Sequence, residues 1–288
     1  MPQKNISCHT DSYLANGGWS IRTPFFTACV LAIALLAVYS MPLSAETSVR
    51  IAFLGERDSD AFKGALQGVN EANTQGKFLG LRYDLVVATD HDDALALGAT
   101  AIVADVSAIR LLRLAEDSGG APVFNVSAED DALRDACQEH LFHTIPSDGM
   151  RDDALQQWAR KRPDSAAEAR AWHPKFKKYA AAQLNRRYTE AFGQSMTDIS
   201  WAGWAATKLL SDTIARIGST DAEAIAEILS GNLAFDGQKG ITMSFRNTGQ
   251  LRQPILLIEN DAIVAEAPVR GIVDSSNLDS LGLADCLK

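Results

Sequence analysis

Val49-Arg50-Ile51-Ala52-Phe53-Leu54, closed by Gly55, decides the fold class. A short apolar run that does not alternate with polar residues fits a strand buried on both faces, as in a parallel sheet. The next segment has a different period. From Asp60 the apolar positions Ala61, Ala65, Leu66 and Val69 recur at helical spacing, and Asn73 to Gly76 supplies a stop. The alternation then repeats: strands are expected at Tyr83–Ala88, Ala101–Ala104, Pro122–Asn125 and near Leu141–His143, with helices at Ala94–Leu97, from Ser107 and through Leu133. Strands alternating with helices indicate an α/β domain on a parallel sheet. In such sheets ligands sit beyond the carboxyl ends of the strands. Asp105, Ser107, Asn125 and Ser127 fall at those ends, as does Glu56, and are the candidate ligand contacts. Ser107 also fits the cap of the helix it precedes, whose first N–H groups suit an anionic ligand group.

The pattern changes beyond Pro146. Helices are expected at Asp148–Lys161, Lys175–Phe192, Asp198–Ile217 and Asp221–Leu229, with no strand between the first two. The carboxyl-terminal part reads as β: Gly240–Phe245, Pro254–Ile258 and Ala262–Ala265, the last two joined at Glu259-Asn260-Asp261 by a hairpin turn. Trp172-His173-Pro174, in a loop before a helix, offers a stacking face and a polar tip, so Trp172 and His173 join the candidates, although ordinary packing explains a tryptophan equally well.

The amino-terminal stretch reads as a secretory leader. Lys4 and Arg22 precede an apolar run, Phe25–Val38, that is too short for the ~20 residues of a membrane span. Cleavage is expected after Ala45, making residues 1–45 a signal peptide and leaving no membrane span. The chain of 288 residues carries 27 basic and 36 acidic residues; beyond Ala45 these become 25 and 35, a net charge of −10. That balance, with no Lys/Arg stripe, argues against a nucleic-acid partner. Only Cys137 and Cys286 lie beyond the leader, and in an oxidising compartment they are expected to pair.

Little in the sequence points to catalysis. Neither GxSxG, HExxH, a phosphate-binding Walker loop nor GxGxxG occurs. Thr89-Asp90-His91-Asp92-Asp93 has the oxygen ligands of a hard-cation site but lacks the glycine and distal glutamate of a calcium loop; an exposed acidic turn capping a helix is the simpler reading. Glu139, His140 and His143 only loosely resemble a metal set, and a disulfide would remove Cys137 as a nucleophile. No enzyme activity, metal or cofactor is expected.

An ordered series of segments carries a resemblance over most of the chain: Phe62-Lys63-Gly64-Ala65 through Asn73, Gly76 to Gly80, Ile102 to Asp105, Phe124-Asn125, His143 to Ser147, Ala171 to Pro174, Phe235 to Gly240, Gly249 to Pro254 and the tail Asn277 to Gly282 before Cys286. The series resembles the substrate-binding proteins associated with pyrroloquinoline quinone (PQQ)-dependent alcohol dehydrogenase systems, a branch of the Leu/Ile/Val-binding, type I periplasmic binding proteins. The resemblance implies two Rossmann-like α/β lobes, a small-molecule solute held between them by closure, an ABC permease in the inner membrane as partner, and a periplasmic location. It assigns residues 46–147 with 198–247 to the first lobe and 148–197 with 248–288 to the second. The sequence departs from the family between Lys161 and Trp172, where relatives carry about three further βα units at ~30 residues each, so the second lobe is expected to be truncated. The alternative is an interaction protein built on the first lobe, contacting a dehydrogenase or cytochrome.

Overall fold

The computed structural model describes residues 46–231 and 233–286; the expected leader lies outside them. Five parallel strands form one sheet in the order β2-β1-β3-β4-β5: β1 (Thr47–Leu54), β2 (Leu81–Val87), β3 (Ala101–Ala104), β4 (Val123–Asn125) and β5 (Leu141–His143). β1 lies inside the sheet, between β2 and β3, and is buried on both faces. Val49, Ile51 and Phe53 enter one apolar cluster, while Ala52 and Leu54 enter another on the opposite face. Helices α1 (Asp60–Leu79), α2 (His91–Ala96), α3 (Ala108–Asp117) and α4 (Ala132–Asp135) form the connections. This is the parallel α/β architecture that the alternating pattern predicts.

Local chemistry sets the bounds of α1. Ser59 Oγ accepts from the Phe62 N–H at its start, and Gly80 ends it in the left-handed region, donating to Gly76 O. α1 lies against the long helix α7 (Asp198–Ile217) at very short range. A Cβ on Gly64 would fall 1.9 Å from Ser200 O, and one on Gly203 2.4 Å from Ala61 O. Thr207 Oγ1 bonds Ala65 O across the same seam (3.2 Å). α7 in turn brings Trp201, Trp204, Leu209 and Ile214 into the larger core.

The remaining elements are α5 (Asp148–Lys161), β6 (Glu168–Arg170), α6 (Ala181–Phe192), α8 (Ala222–Ser230) and the hairpin β7 (Ile255–Glu259) and β8 (Ala262–Ala267). β6, β7 and β8 make a three-stranded antiparallel sheet. α5 covers it through Met150, Ala154 and Trp158, packed on Ala169, Ile255, Leu257 and Ala267. The turn residues Asn260 and Asp261 both have positive φ, as a tight hairpin requires.

Three sequence expectations are corrected. β6 exists where no strand is expected; it spans three residues and buries only Ala169, so it has too little apolar content to register as a pattern. Gly240–Phe245 is not a strand. Met243 bridges Phe235 and Phe245 bridges Leu251, with isolated pairings in place of a ladder. The helix expected from Lys175 starts at Ala181, because Tyr179 and Ala180 take left-handed conformations that break the turn. Cys137 and Cys286 form a disulfide with Cα atoms 6.1 Å apart. Among the described residues no helix is long and apolar enough to cross a membrane.

Candidate functional site

The carboxyl ends of β1, β3 and β4 lie side by side, since Leu54 pairs with Ala104 and Ala104 with Asn125. Asp105 comes directly after β3. Its N–H donates to Leu54 O (2.8 Å), and its carboxylate accepts from Ser59 Oγ at 3.1 Å, tying the loop after β3 to the start of α1. Ser107 occupies the cap position of α3, yet its hydroxyl makes no capping bond and is left exposed. Ser127 is half-buried in the loop after β4.

Asn125 is fully buried, and its amide is committed within the protein. Oδ1 accepts from the N–H groups of Ser127 (3.2 Å) and Ala128 (2.9 Å); Nδ2 donates to Ala128 O (2.7 Å) and lies 3.0 Å from His143 Nδ1. It shapes the loop carrying Ser127 rather than presenting a free group. His143 is buried too. Burial, and secondly the charge of Arg134, hold its pKa well below the usual value, so the ring is neutral and Nδ1 can accept from Asn125. Arg134 locks the same loop from beneath, donating to Ala128 O, Asp130 O, Ile145 O and Gln250 Oε1. Burial lowers its pKa to about 10, which leaves it a cation at neutral pH.

Trp172 and His173 lie beyond β6. Trp172 stacks on Trp201 (centroids 5.9 Å apart, planes 13° apart) and donates through Nε1 to Asn185 Oδ1 (2.8 Å); its ring belongs to the core. His173 receives the Lys175 N–H at Nδ1 (3.2 Å), which places the ring hydrogen on Nε2, 3.1 Å from Asp261 Oδ1. Both residues line a 390 Å³ cavity with Glu168, Arg170, Thr197, Asp198 and Glu259. Glu168, Arg170, Thr197 and Asp198 also line an adjoining 380 Å³ cavity, completed by Asp60, Glu129 and Arg151. That second cavity reaches the loop after β4 through Glu129, so strand ends and small sheet meet across it. A 740 Å³ cavity beside the disulfide is larger, but it borders the amino end of β5, opposite to the strand ends.

Arg151, Glu129, Asp198 and Ser59 are not among the sequence candidates. Arg151 reads in the sequence as one more charge on a polar helix. Asp90 and Asp93 serve the Thr89–Asp93 turn as caps, accepting from the N–H groups of Asp93 and Thr89 (both 2.9 Å). Among the described residues no group of three or more His, Cys, Asp or Glu side chains could hold a metal ion.

No family model matches the sequence, and no curated protein matches it either. Solved structures do match by shape. A branched-chain amino-acid ABC transporter periplasmic ligand-binding protein from Burkholderia xenovorans superposes with a TM-score of 0.64 at 13% identity, covering 76% of this chain and 95% of that one. The closed leucine-, isoleucine-, valine-, threonine- and alanine-binding protein of Brucella ovis gives 0.65 at 12% identity, with coverages of 77% and 93%. A branched-chain amino-acid transporter substrate-binding protein from Streptococcus pneumoniae, in complex with isoleucine, gives 0.58 at 12% identity, with coverages of 76% and 99%. With its five-stranded parallel sheet and these matches, the chain has the α/β fold of the type I periplasmic binding proteins.

Proposed function

We propose that this chain binds a small solute beside the strand ends of its parallel sheet and serves an ABC permease as the periplasmic recognition component. The observation that carries the reading is the fold match to binding proteins of branched-chain amino-acid transporters. The cavity joining Glu129 to Glu168, Arg170 and Asp198 supports it, because it lies where open α/β sheets receive ligands. The sequence resemblance adds a narrower expectation, a role beside PQQ-dependent alcohol oxidation. Asp105, Ser107 and Ser127 are the proposed contacts on the sheet side and His173 on the other, with Asn125 and Trp172 acting through the structure they hold; His173 lines the adjoining cavity, and Ser107 a separate one with Asp90 and Arg110. The protein is not an enzyme in this reading and requires no cofactor.

Thermal unfolding with a panel of branched-chain amino acids, short alcohols, their acids and small organic cations such as agmatine tests this. A solute at 100 times its Kd adds about 2.7 kcal/mol, a shift easily measured. Absence of any shift across the panel would remove the reading. The export it requires is checked by mass spectrometry of the periplasmic fraction, where Glu46 is expected as the first residue.

A specific observation favours a second reading, an interaction protein contacting a dehydrogenase or cytochrome: Arg151 bridges the cleft on its own, leaving less for a solute to do. Co-purification with a redox protein, in the absence of any stabilising solute, would select it.

A further inference from the structure

We infer that the cleft is latched by the chain's own Arg151, and that the solute it admits is a small organic cation able to replace that guanidinium. The solute class rests on the solute-binding reading above; the latch rests on geometry alone.

Arg151 lies in the first turn of α5, and its guanidinium reaches three separate elements. Nη2 donates to Glu129 Oε1 (2.8 Å) in the loop after β4. Nη1 donates to Asp198 Oδ2 (2.9 Å) at the start of α7 and to Ala169 O (2.6 Å) on β6. Asp198 completes the bridge by accepting the N–H groups of Ala171 (3.0 Å) and Trp172 (2.8 Å). β6 pairs with β7 on one side only. Backbone groups at and just beyond the strand are therefore satisfied by side chains, and one cation ties the short sheet to the strand ends.

The contacts are shielded. Side-chain exposure is 14% for Arg151 and 9% for Asp198, against 33% for Glu129. If Arg151 swung aside for a neutral or anionic solute, Glu129 and Asp198 would lose their counter-charge in a partly dry cleft, which is strongly unfavourable. A cationic solute exchanges like for like. The surroundings agree in sign: four carboxylates line the cavity, those of Asp60, Glu129, Glu168 and Asp198, against the two guanidiniums of Arg151 and Arg170. Arg151 is also an imperfect fit. Its Nε is buried without a hydrogen-bond acceptor, and an unpaired buried donor disfavours the closed arrangement, so the latch is releasable.

The test uses the full mature chain, Arg151→Ala and methylguanidinium as probe. Methylguanidinium at ten times its Kd for the variant is expected to raise the variant's Tm by about 3 °C or more and to move the wild type by only about 1 °C or less. Equal shifts in both proteins, or none in the variant, overturn the latch. Should Arg151→Ala not fold, Arg151→Lys keeps the charge but cannot span the three acceptors. Amide exchange at Ala171 and Trp172 is then expected to quicken on the order of tenfold, and unchanged exchange overturns the latch.

Calorimetry with agmatine, leucine and ethanol separates the solute class from the function. Agmatine binding the wild type, and Arg151→Ala about tenfold more tightly, supports the proposal. Weaker agmatine binding to Arg151→Ala would make Arg151 a ligand contact and overturn it. Leucine or ethanol binding equally to both proteins overturns the cation class while the solute-binding reading stands. If no solute binds either protein while methylguanidinium still rescues the variant, the solute-binding reading and its solute class fall and the latch survives.

Discussion

His143 and Asn125 show how a pair of buried polar residues makes folding depend on pH. Asn125 Nδ2 points at His143 Nδ1 across 3.0 Å, an arrangement that tolerates only a neutral ring. The depressed pKa of His143 in the fold means that the unfolded chain takes up a proton near pH 6.5 while the folded chain does not. Stability is therefore full above about pH 6.5 and is lost as pH falls below it, by up to ~1.4 kcal/mol per pH unit from this residue. Urea unfolding at pH 7.5, 6.5 and 5.5 is expected to show that slope. His143→Gln should flatten it, and an unaltered slope would mean that His143 titrates normally in the fold. A substitution at Asn125 would act on the loop it holds: Asn125→Ala strands the N–H groups of Ser127 and Ala128 and is expected to cost about 1–3 kcal/mol, read by the same urea titration. The sequence made Asp105, Ser107, Asn125 and Ser127 legible as strand-end residues, because position after a buried apolar run is a local property. It could not show that Asn125 faces inward, nor that Arg151 crosses to Glu129 and Asp198. Those facts depend on which elements the topology brings together.

Elements with a strong period are legible. α5 and α7 occupy the spans expected of them, because cap residues and apolar spacing agree: Ser147 accepts from the Met150 N–H, and Thr197 from that of Ser200. β6 and the Gly240–Phe245 segment depart from expectation for opposite reasons. The first forms a strand with almost no apolar content, while the second is apolar but anchored through buried side chains, with Gly237, Gln238 and Gly240 at positive φ. The contact between α1 and α7 is the element-level feature most open to test. Gly64→Ala would drive a methyl group into the Ser200 carbonyl, 1.9 Å away, so the helices must separate. A loss of about 1–3 kcal/mol is expected by urea unfolding, against the gain that alanine gives at an exposed helix position. A neutral or stabilising result would show that the helices can shift without cost.

For the molecule as a whole, the disulfide is the main covalent constraint. It joins the residues just before β5 to the carboxyl-terminal tail across a sequence separation of 149. The tail is otherwise held by Arg246, whose guanidinium is buried and bonds Asp279 Oδ1 (2.9 Å), Leu278 O (2.7 Å) and Leu283 O (3.0 Å). Closing so long a loop in the unfolded chain is worth about 2–5 kcal/mol, so the Cys137→Ser, Cys286→Ser double variant is expected to lose stability by that amount and to unfold at a lower urea midpoint. An unchanged midpoint would place the stabilisation in the tail contacts alone. The same bond divides the chain under tension. Pulled at Glu46 and at Cys286, the chain can release only the residues before Cys137, roughly 300 Å of extended chain, whereas reduction frees the enclosed segment for a total of roughly 800 Å. β5, α7 and the whole three-stranded sheet lie inside the covalent ring, so a stretching force can extend them only after the sulfur–sulfur bond is cut.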